Sequence, residues 1–141
     1  MIDVGVKIAN SSNIEDLVQI DREVIGDDHR REFIRMAVEE ERCLIIASEY
    51  AVEGFLIHDK NFFNSSFISL VIIAPSARRK GRASALLQHF VSIAPTEKVF
   101  SSTNLSNQAM KKVFEANGFV QSGTIDNLDD GDPELIYFKM K

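Results

Sequence analysis

The stretch that most constrains this chain is Phe67 to Ile73, FISLVII, a nearly continuous apolar run closed by Ala74-Pro75. A strand covered on both faces reads this way, because neither face has to meet water. The run predicts a central strand. Proline has no N–H to give to a ladder, so Pro75 ends the strand and sends the chain into Arg78-Arg79-Lys80-Gly81-Arg82-Ala83-Ser84. From Ala83 onward, Leu86, Leu87, Phe90, Val91 and Ala94 recur at helical spacing until Pro95 stops them. A buried strand, a basic glycine-containing loop and an amphipathic helix thus follow one another directly.

The flanking sequence supplies the other elements. Residues 2 to 9 read as a first strand, and Ser12-Asn13-Ile14-Glu15 has the spacing of a capping box opening a helix with Ile14, Leu17, Val18 and Ile25 on its apolar face. After Gly26-Asp27-Asp28, Phe33, Ile34, Ala37 and Val38 predict a second helix that ends near Glu39 to Glu41. Cys43 to Ala47 and Val52 to Ile57 read as two strands of a hairpin around Glu49 and Tyr50, and Asn61 to Ser66 as a turn. Val99 to Ser102 predicts a short strand. Asn107 to Asn117 predicts a helix with Met110, Val113 and Phe114 inward and Gly118 at its C′ position. Phe119 to Ile125 and Leu135 to Met140 are the last strands. The order β-α-α-β-β-β-α-β-α-β-β predicts a mixed α/β fold built on a mixed sheet, in one domain over residues 1 to 141.

Composition narrows the function. The net charge of −5 opposes non-specific nucleic-acid binding and favours cationic small partners. No stretch reaches the roughly 18 apolar residues of a membrane span, and Asp3 and Lys7 stand where a signal peptide needs an apolar block, so no membrane contact is expected. Cys43 is the sole cysteine, which excludes an intrachain disulfide and a cysteine-based zinc site and fits a reducing compartment, with the cytoplasm as the default. No histidine pair has metal-ligand spacing, so no metal is expected. The acidic segment Asp126 to Asp132 has Leu128 at the third ligand position of a calcium loop and reads as a hairpin loop.

Against this acidic background, Arg78, Arg79, Lys80 and Arg82 place four cations in five residues at a helix start. A helix amino terminus carries unpaired N–H groups and about half a positive charge, so each added cation costs roughly 0.3–1 kcal/mol unless an anion is near. A bound phosphate or pyrophosphate resolves the conflict: its oxygens take the N–H groups while the guanidinium groups fork onto it. Gly81 admits close approach, and small Ala83 and Ser84 keep the first turn open. The competing reading is a solvated basic helix start paired with acidic neighbours. Neither the Walker loop nor the Rossmann glycine pattern occurs, which argues against nucleotide hydrolysis and NAD chemistry.

The string from Ile73 to Leu87, IAPSARRKGRASALL, resembles the acetyl-CoA signature of GNAT acetyltransferases: Val-x-Pro, then Arg/Gln-x-x-Gly-x-Gly/Ala, then a Leu-Leu helix. Asn107-Gln108-Ala109 followed by Phe114-Glu115-Ala116-Asn117-Gly118-Phe119 resembles the family's Asn…Ala…Tyr-Glu-Lys-x-Gly-Phe, and Gly54-Phe55 the glycine that opens its third strand. The resemblance implies strands four and five that splay apart around the pantetheine of acetyl-CoA, main-chain contacts from Val71 and Ile73, and a pyrophosphate on residues 79 to 84. It places Asn107 and the helix carrying Phe114 on the cofactor's other side.

The implied reaction is direct attack of an amine on the thioester, with a backbone N–H of strand four polarising the carbonyl. The acceptor would be a small-molecule or peptide amine; self-association as a homodimer stays open. Because alkylamines are protonated at neutral pH, a base must take a proton, and many family members use a tyrosine to protonate the leaving thiolate. Here that position is Phe114, which has no hydroxyl, and strand four offers no acid, only Ser69 as a polar side chain. The candidate substitutes are Tyr137 as acid and Glu23, Glu53, His58 or Glu134 as base. The plain readings are a strand residue for Tyr137, solvated surface for the glutamates, and structural hydrogen bonding for His29, His58 and His89. A CoA-binding sensor or scaffold without turnover is the alternative function.

Overall fold

A computed structural model describes residues 5–141. Its elements are β1 (Gly5–Ile8), α1 (Ile14–Ile25), α2 (Arg31–Glu39), β2 (Cys43–Ala47), β3 (Val52–Phe62), β4 (Ser65–Ile73), α3 (Arg82–Ile93), β5 (Lys98–Asn104), α4 (Gln108–Ala116), β6 (Val120–Ile125) and β7 (Glu134–Met140). The order is the one predicted. The seven strands are hydrogen-bonded in the order β1-β2-β3-β4-β5-β7-β6, with β4 and β5 parallel and the β1–β2, β2–β3, β5–β7 and β6–β7 pairs antiparallel. Residues 2–4 of the expected first strand lie outside the described residues. Among the described residues no helix is long and apolar enough to cross a membrane.

The chain forms two compact units, one made of residues up to His58 with Leu70–Phe90, the other of Asp59–Ser69 with Val91–Lys141. In the first, Leu17, Val18 and Ile20 of α1 and Ile34, Ala37 and Val38 of α2 pack with Cys43 and Ile45 of β2, Phe55 and Ile57 of β3 and Ile72 of β4. Each large apolar side chain buried there contributes about 1.5–3 kcal/mol, which outweighs the modest helix preference of so many β-branched residues. Ile25 is only half-buried and Phe33 is exposed, so both helices turn slightly away from the faces expected of them. Asp21 is buried in this core, and Arg30 spans it with two hydrogen bonds, Nη2 to Oδ1 at 2.6 Å and Nε to Oδ2 at 3.1 Å. A buried carboxylate needs such a partner, and here the partner ties α1 to the start of α2.

The capping box lies two residues ahead of the expected position. Asn10 Oδ1 accepts from the Ser12 N–H, Asn13 Oδ1 accepts from the Asn10 N–H, and together they close a 3₁₀ turn over Ser11–Asn13 before α1 begins. Asparagine makes this reciprocal bond as well as the expected serine does.

β3 carries the irregularity on which the rest of this unit turns. Ile46 opposes Gly54 and Ala47 opposes Val52, so Glu53 is an extra residue with no partner on β2, a β-bulge. The carbonyl of Glu53 instead accepts from the Ala74 N–H at 2.8 Å, just past the end of β4. At Gly54 a β-carbon would stand 2.6 Å from Ile73 Cδ1 and 2.8 Å from the Ile72 carbonyl oxygen. No side chain fits that gap without moving backbone.

In the second unit, β3 and β4 run further than the sequence suggested. The expected turn over Asn61 to Ser66 shrinks to Phe63-Asn64, both with positive φ (53° and 63°), the two-residue hairpin geometry that matches strand twist. Phe62 is held in the sheet because its ring stacks on Phe67 and lies 5.0 Å from Phe100. β4 pairs with β5 only through Ser66–Ile68 and Val99–Ser101. The buried Ser101 hydroxyl donates to the Ile68 carbonyl at 2.8 Å, which lets a polar side chain sit in this pairing. Asn107 caps α4 through its side chain, which accepts from the Met110 N–H at 3.1 Å, and Gly118 closes the helix at φ 81°.

Replacing Gly54 with alanine should lower stability by about 1–3 kcal/mol, the usual cost of an overpacked contact. Chemical denaturation of the variant measures it, and an unchanged midpoint would contradict the contact described.

Candidate functional site

The segment after β4 is built in three steps. Pro75–Ala77 form a 3₁₀ turn whose Ala77 is buried and whose N–H donates to the Ala74 carbonyl at 2.9 Å. Arg78 is extended, Arg79 takes φ 63° and Gly81 takes φ 76°. Glycine adopts the left-handed region without cost, whereas for Arg79 it costs about 1 kcal/mol, strain of the kind found where a loop is shaped for a ligand. α3 then starts at Arg82 and is anchored by the buried Leu86, Leu87 and Phe90.

At the start of α3 the Ala85 N–H donates to the Gly81 carbonyl at 3.0 Å. The N–H groups of Arg82 and Ala83 therefore come before any carbonyl a turn below them. No acidic residue occupies the first turn, and the side chains of Arg78, Arg79 and Lys80 stand exposed around it. Arg78 Nε reaches back to the Ile73 carbonyl at 3.4 Å. This is a concentration of positive charge and N–H donors at the amino end of a twelve-residue helix, chemically suited to phosphate oxygens.

The fourth cation behaves differently. Arg82 Nε donates to Glu53 Oε1 at 2.7 Å and its Nη1 to the Lys80 carbonyl at 3.0 Å. For Arg82 the acidic-neighbour reading is thus the observed one. The same contact engages Glu53, a candidate base, with a guanidinium. Val71 and Ile73 are half-buried at the end of β4, and Ala83 and Ser84 are half-buried in the first turn of α3.

The other candidates are distributed as follows. Glu23 is exposed on α1. His58 stacks on Phe90 with ring centres 4.4 Å apart, and its backbone bonds Arg42 in both directions. His29 hydrogen-bonds the Asp27 carboxylate through its backbone N–H and its ring, and these bonds hold the Asp27 carboxyl below its ordinary value. Burial pushes the Cys43 thiol up to about 12, away from the reactive thiolate.

In the second unit Phe114 is buried, stacked on Tyr137 at 4.7 Å and against Phe119 at 5.3 Å. Tyr137 is itself 2 % exposed, and burial, with the nearby Glu115 charge, raises its phenol above the ordinary value. Both aromatic rings are core. Asn107 is exposed with its side chain on the α4 cap, and Glu134 is half-buried at the start of β7. The loop from Asp126 to Asp132 is held by Asp129, which accepts from Asn104 Nδ2 at 2.9 Å, and by Asp132, which accepts from the N–H and hydroxyl of Ser106. Among the described residues no group of three or more His, Cys, Asp or Glu is gathered as a metal site.

Sequence reasoning missed the Glu53–Arg82 pair and the Phe114–Tyr137 stack, both made by residues distant in the chain. The only local signal was one charged residue inside the apolar strand VEGFLI.

The model of the acetyltransferase (GNAT) family matches residues 12–119. A GNAT-family acetyltransferase structure from Bacillus cereus superposes with a TM-score of 0.96 at 47% identity, covering 99% of this chain and 98% of that one. An N-acetyltransferase from Staphylococcus aureus gives 0.82 at 19% identity, with 98% of each chain covered. An acetyltransferase from Salmonella typhimurium, solved with its cofactor acetyl-CoA, gives 0.79 at 12% identity over 97% of this chain and 93% of that one. No curated protein sequence matches the chain.

The raised phenol gives a spectroscopic check. A group whose folded value is raised contributes stability that is complete below its unfolded value, about 10 for tyrosine, and lost as pH rises through the folded value. Of the two tyrosines, Tyr137 should ionise above pH 10 in an ultraviolet titration, and the Tyr137→Phe variant should lose that step; ionisation of Tyr137 at or below the ordinary value would contradict its burial.

Proposed function

Because the chain belongs to the GNAT acetyltransferase family, whose general reaction is acyl transfer to an amine, we propose that it takes its acetyl group from acetyl-CoA and passes it to the amine of a small molecule or peptide. The observation that carries this reading is the loop from Arg78 to Gly81, left-handed at Arg79 and Gly81, leading into a helix start with three exposed cations and no acid in its first turn. Bound acetyl-CoA would supply an activated thioester. In this reading Arg78, Arg79 and Lys80 neutralise its phosphates while the N–H groups of the first turn of α3 donate to phosphate oxygens. Main-chain groups of Val71 and Ile73 would align the pantetheine. The cytoplasm, where a lone cysteine stays reduced, is the compartment that suits this reading.

Proton handling is the open part of the reaction. Phe114 cannot give a proton to a leaving thiolate, and Tyr137 is the phenol stacked on it, ring centres 4.7 Å apart. At neutral pH a raised phenol stays protonated and can donate. Among the candidate bases Glu53 is committed to Arg82, which leaves Glu23, His58, Glu134 or a water chain to accept the amine proton. A second reading, a CoA-binding module without turnover, is favoured by Phe114 itself.

Calorimetry with acetyl-CoA should show binding, and at one hundred times the dissociation constant the ligand should stabilise the fold by about 2.7 kcal/mol in thermal unfolding. Release of free thiol with a panel of amines separates transfer from binding alone. Absence of both binding and release would refute the proposal, and binding without release would favour the second reading. Gly81→Val should weaken acetyl-CoA at least about tenfold with the fold retained, since a β-branched residue resists φ 76° by about 1–2 kcal/mol. Unchanged affinity would place the phosphate cradle elsewhere.

A further inference from the structure

We infer that Glu53 is a positioning residue for the phosphate loop, acting through Arg82, and that Arg82 is a strut of the loop rather than a phosphate ligand; this rests on the acetyl-CoA reading above. Three observations converge on it. The β-bulge leaves Glu53 without a partner on β2, so its backbone and side chain are both spent on the segment that follows β4: the carbonyl takes the Ala74 N–H at 2.8 Å, the carboxylate takes Arg82 Nε at 2.7 Å. Gly54, the next residue, brings β3 so close to Ile72 and Ile73 that this hold has no slack. Arg82 passes the constraint on, because its Nη1 donates to the Lys80 carbonyl at 3.0 Å, between the two left-handed residues Arg79 and Gly81.

Glu53 therefore holds both ends of the loop, through its carbonyl at Ala74 where the chain leaves β4 and through its carboxylate at Arg82 where α3 begins. The pair is enclosed, with side chains 17 % exposed for Glu53 and 20 % for Arg82, so water screens it less than an open surface pair. An unclamped loop would have to adopt the left-handed Arg79 conformation only when ligand arrives, and the cost of ordering it then would be drawn from binding. Glu53 also offsets the charge of the one cation that lies within the helix start itself, so that Arg78, Arg79 and Lys80 remain the groups that face an anion.

The test measures binding of CoA by calorimetry and acetyl-CoA turnover with the most active amine of the panel, for wild type, Glu53→Ala, Glu53→Gln, Arg82→Ala and the Glu53→Ala/Arg82→Ala double variant. Each alanine variant should raise the dissociation constant about tenfold, the double variant should be no worse than either single one, and Glu53→Gln, which keeps the size and one acceptor, should recover part of the loss. The Michaelis constant for acetyl-CoA should rise while kcat at saturation holds, which a catalytic base could not do. Tighter or unchanged binding in Glu53→Ala with weaker binding in Arg82→Ala would overturn the inference, making Arg82 a phosphate ligand and Glu53 its competitor. A fall in kcat at saturation in Glu53→Gln would overturn it in favour of Glu53 as base. If Glu53→Ala does not fold, Glu53→Gln and Arg82→Ala decide alone by the same readouts. A wild-type chain that binds no CoA overturns both this inference and the acetyl-CoA reading, whereas binding that no Glu53 variant alters overturns only this one.

Discussion

The close passage of β3 against the end of β4 at Gly54 is the contact on which the rest of the first unit depends. Backbone approaches to within what would be 2.8 Å of a β-carbon, and the bulge at Glu53 immediately before it gives β3 one residue more than β2 can pair. A bulge turns a strand locally and frees one residue from the ladder. Here the freed residue is an acid, and its carbonyl and carboxylate both bond the chain beyond β4. A sheet irregularity thereby becomes the anchor of a loop that has little apolar surface of its own to hold it.

That loop concentrates unfavourable terms. It carries a non-glycine residue in the left-handed region, three exposed cations, and a helix start whose dipole adds to their charge. The compensation is visible on either side, in the buried Ala77 before it and the buried Leu86, Leu87 and Phe90 after it. A strained, positively charged loop between two rigid anchors suits a polyanionic ligand, because the cost of shaping it is met by folding and not by binding. This is the physical content of the family's signature in this chain.

The aromatic pair in the second unit bears on the chemistry differently. Phe114 and Tyr137 lie on α4 and β7 and stack as core, so a phenyl ring without a hydroxyl at position 114 is packed and leaves no buried polar atom to satisfy. A phenol and a phenyl ring exchange easily at such a site, since the ring supplies nearly all the packing. Stability therefore places no demand for tyrosine at 114, and only a reaction step would.

The sequence by itself determined the order of elements, the central strand from Phe67 to Ile73, the α3 stripe and the basic glycine loop, because each is written in local periodicity, proline stops and charge. It also carried the family resemblance, since the segments that hold it are contiguous. Element ends were less legible. β3 and β4 extend to Phe62 and Ser65 because rings from separate strands stack there, and the capping box belongs to Asn10 and Asn13, which close a 3₁₀ turn ahead of α1, and not to Ser12. Only tertiary structure decided that Arg82 faces Glu53, that Gly54 must lack a side chain and that Tyr137 is covered by Phe114. Those facts depend on residues tens of positions apart meeting across strands and helices, and local pattern holds no record of which distant side chain will fill a given space.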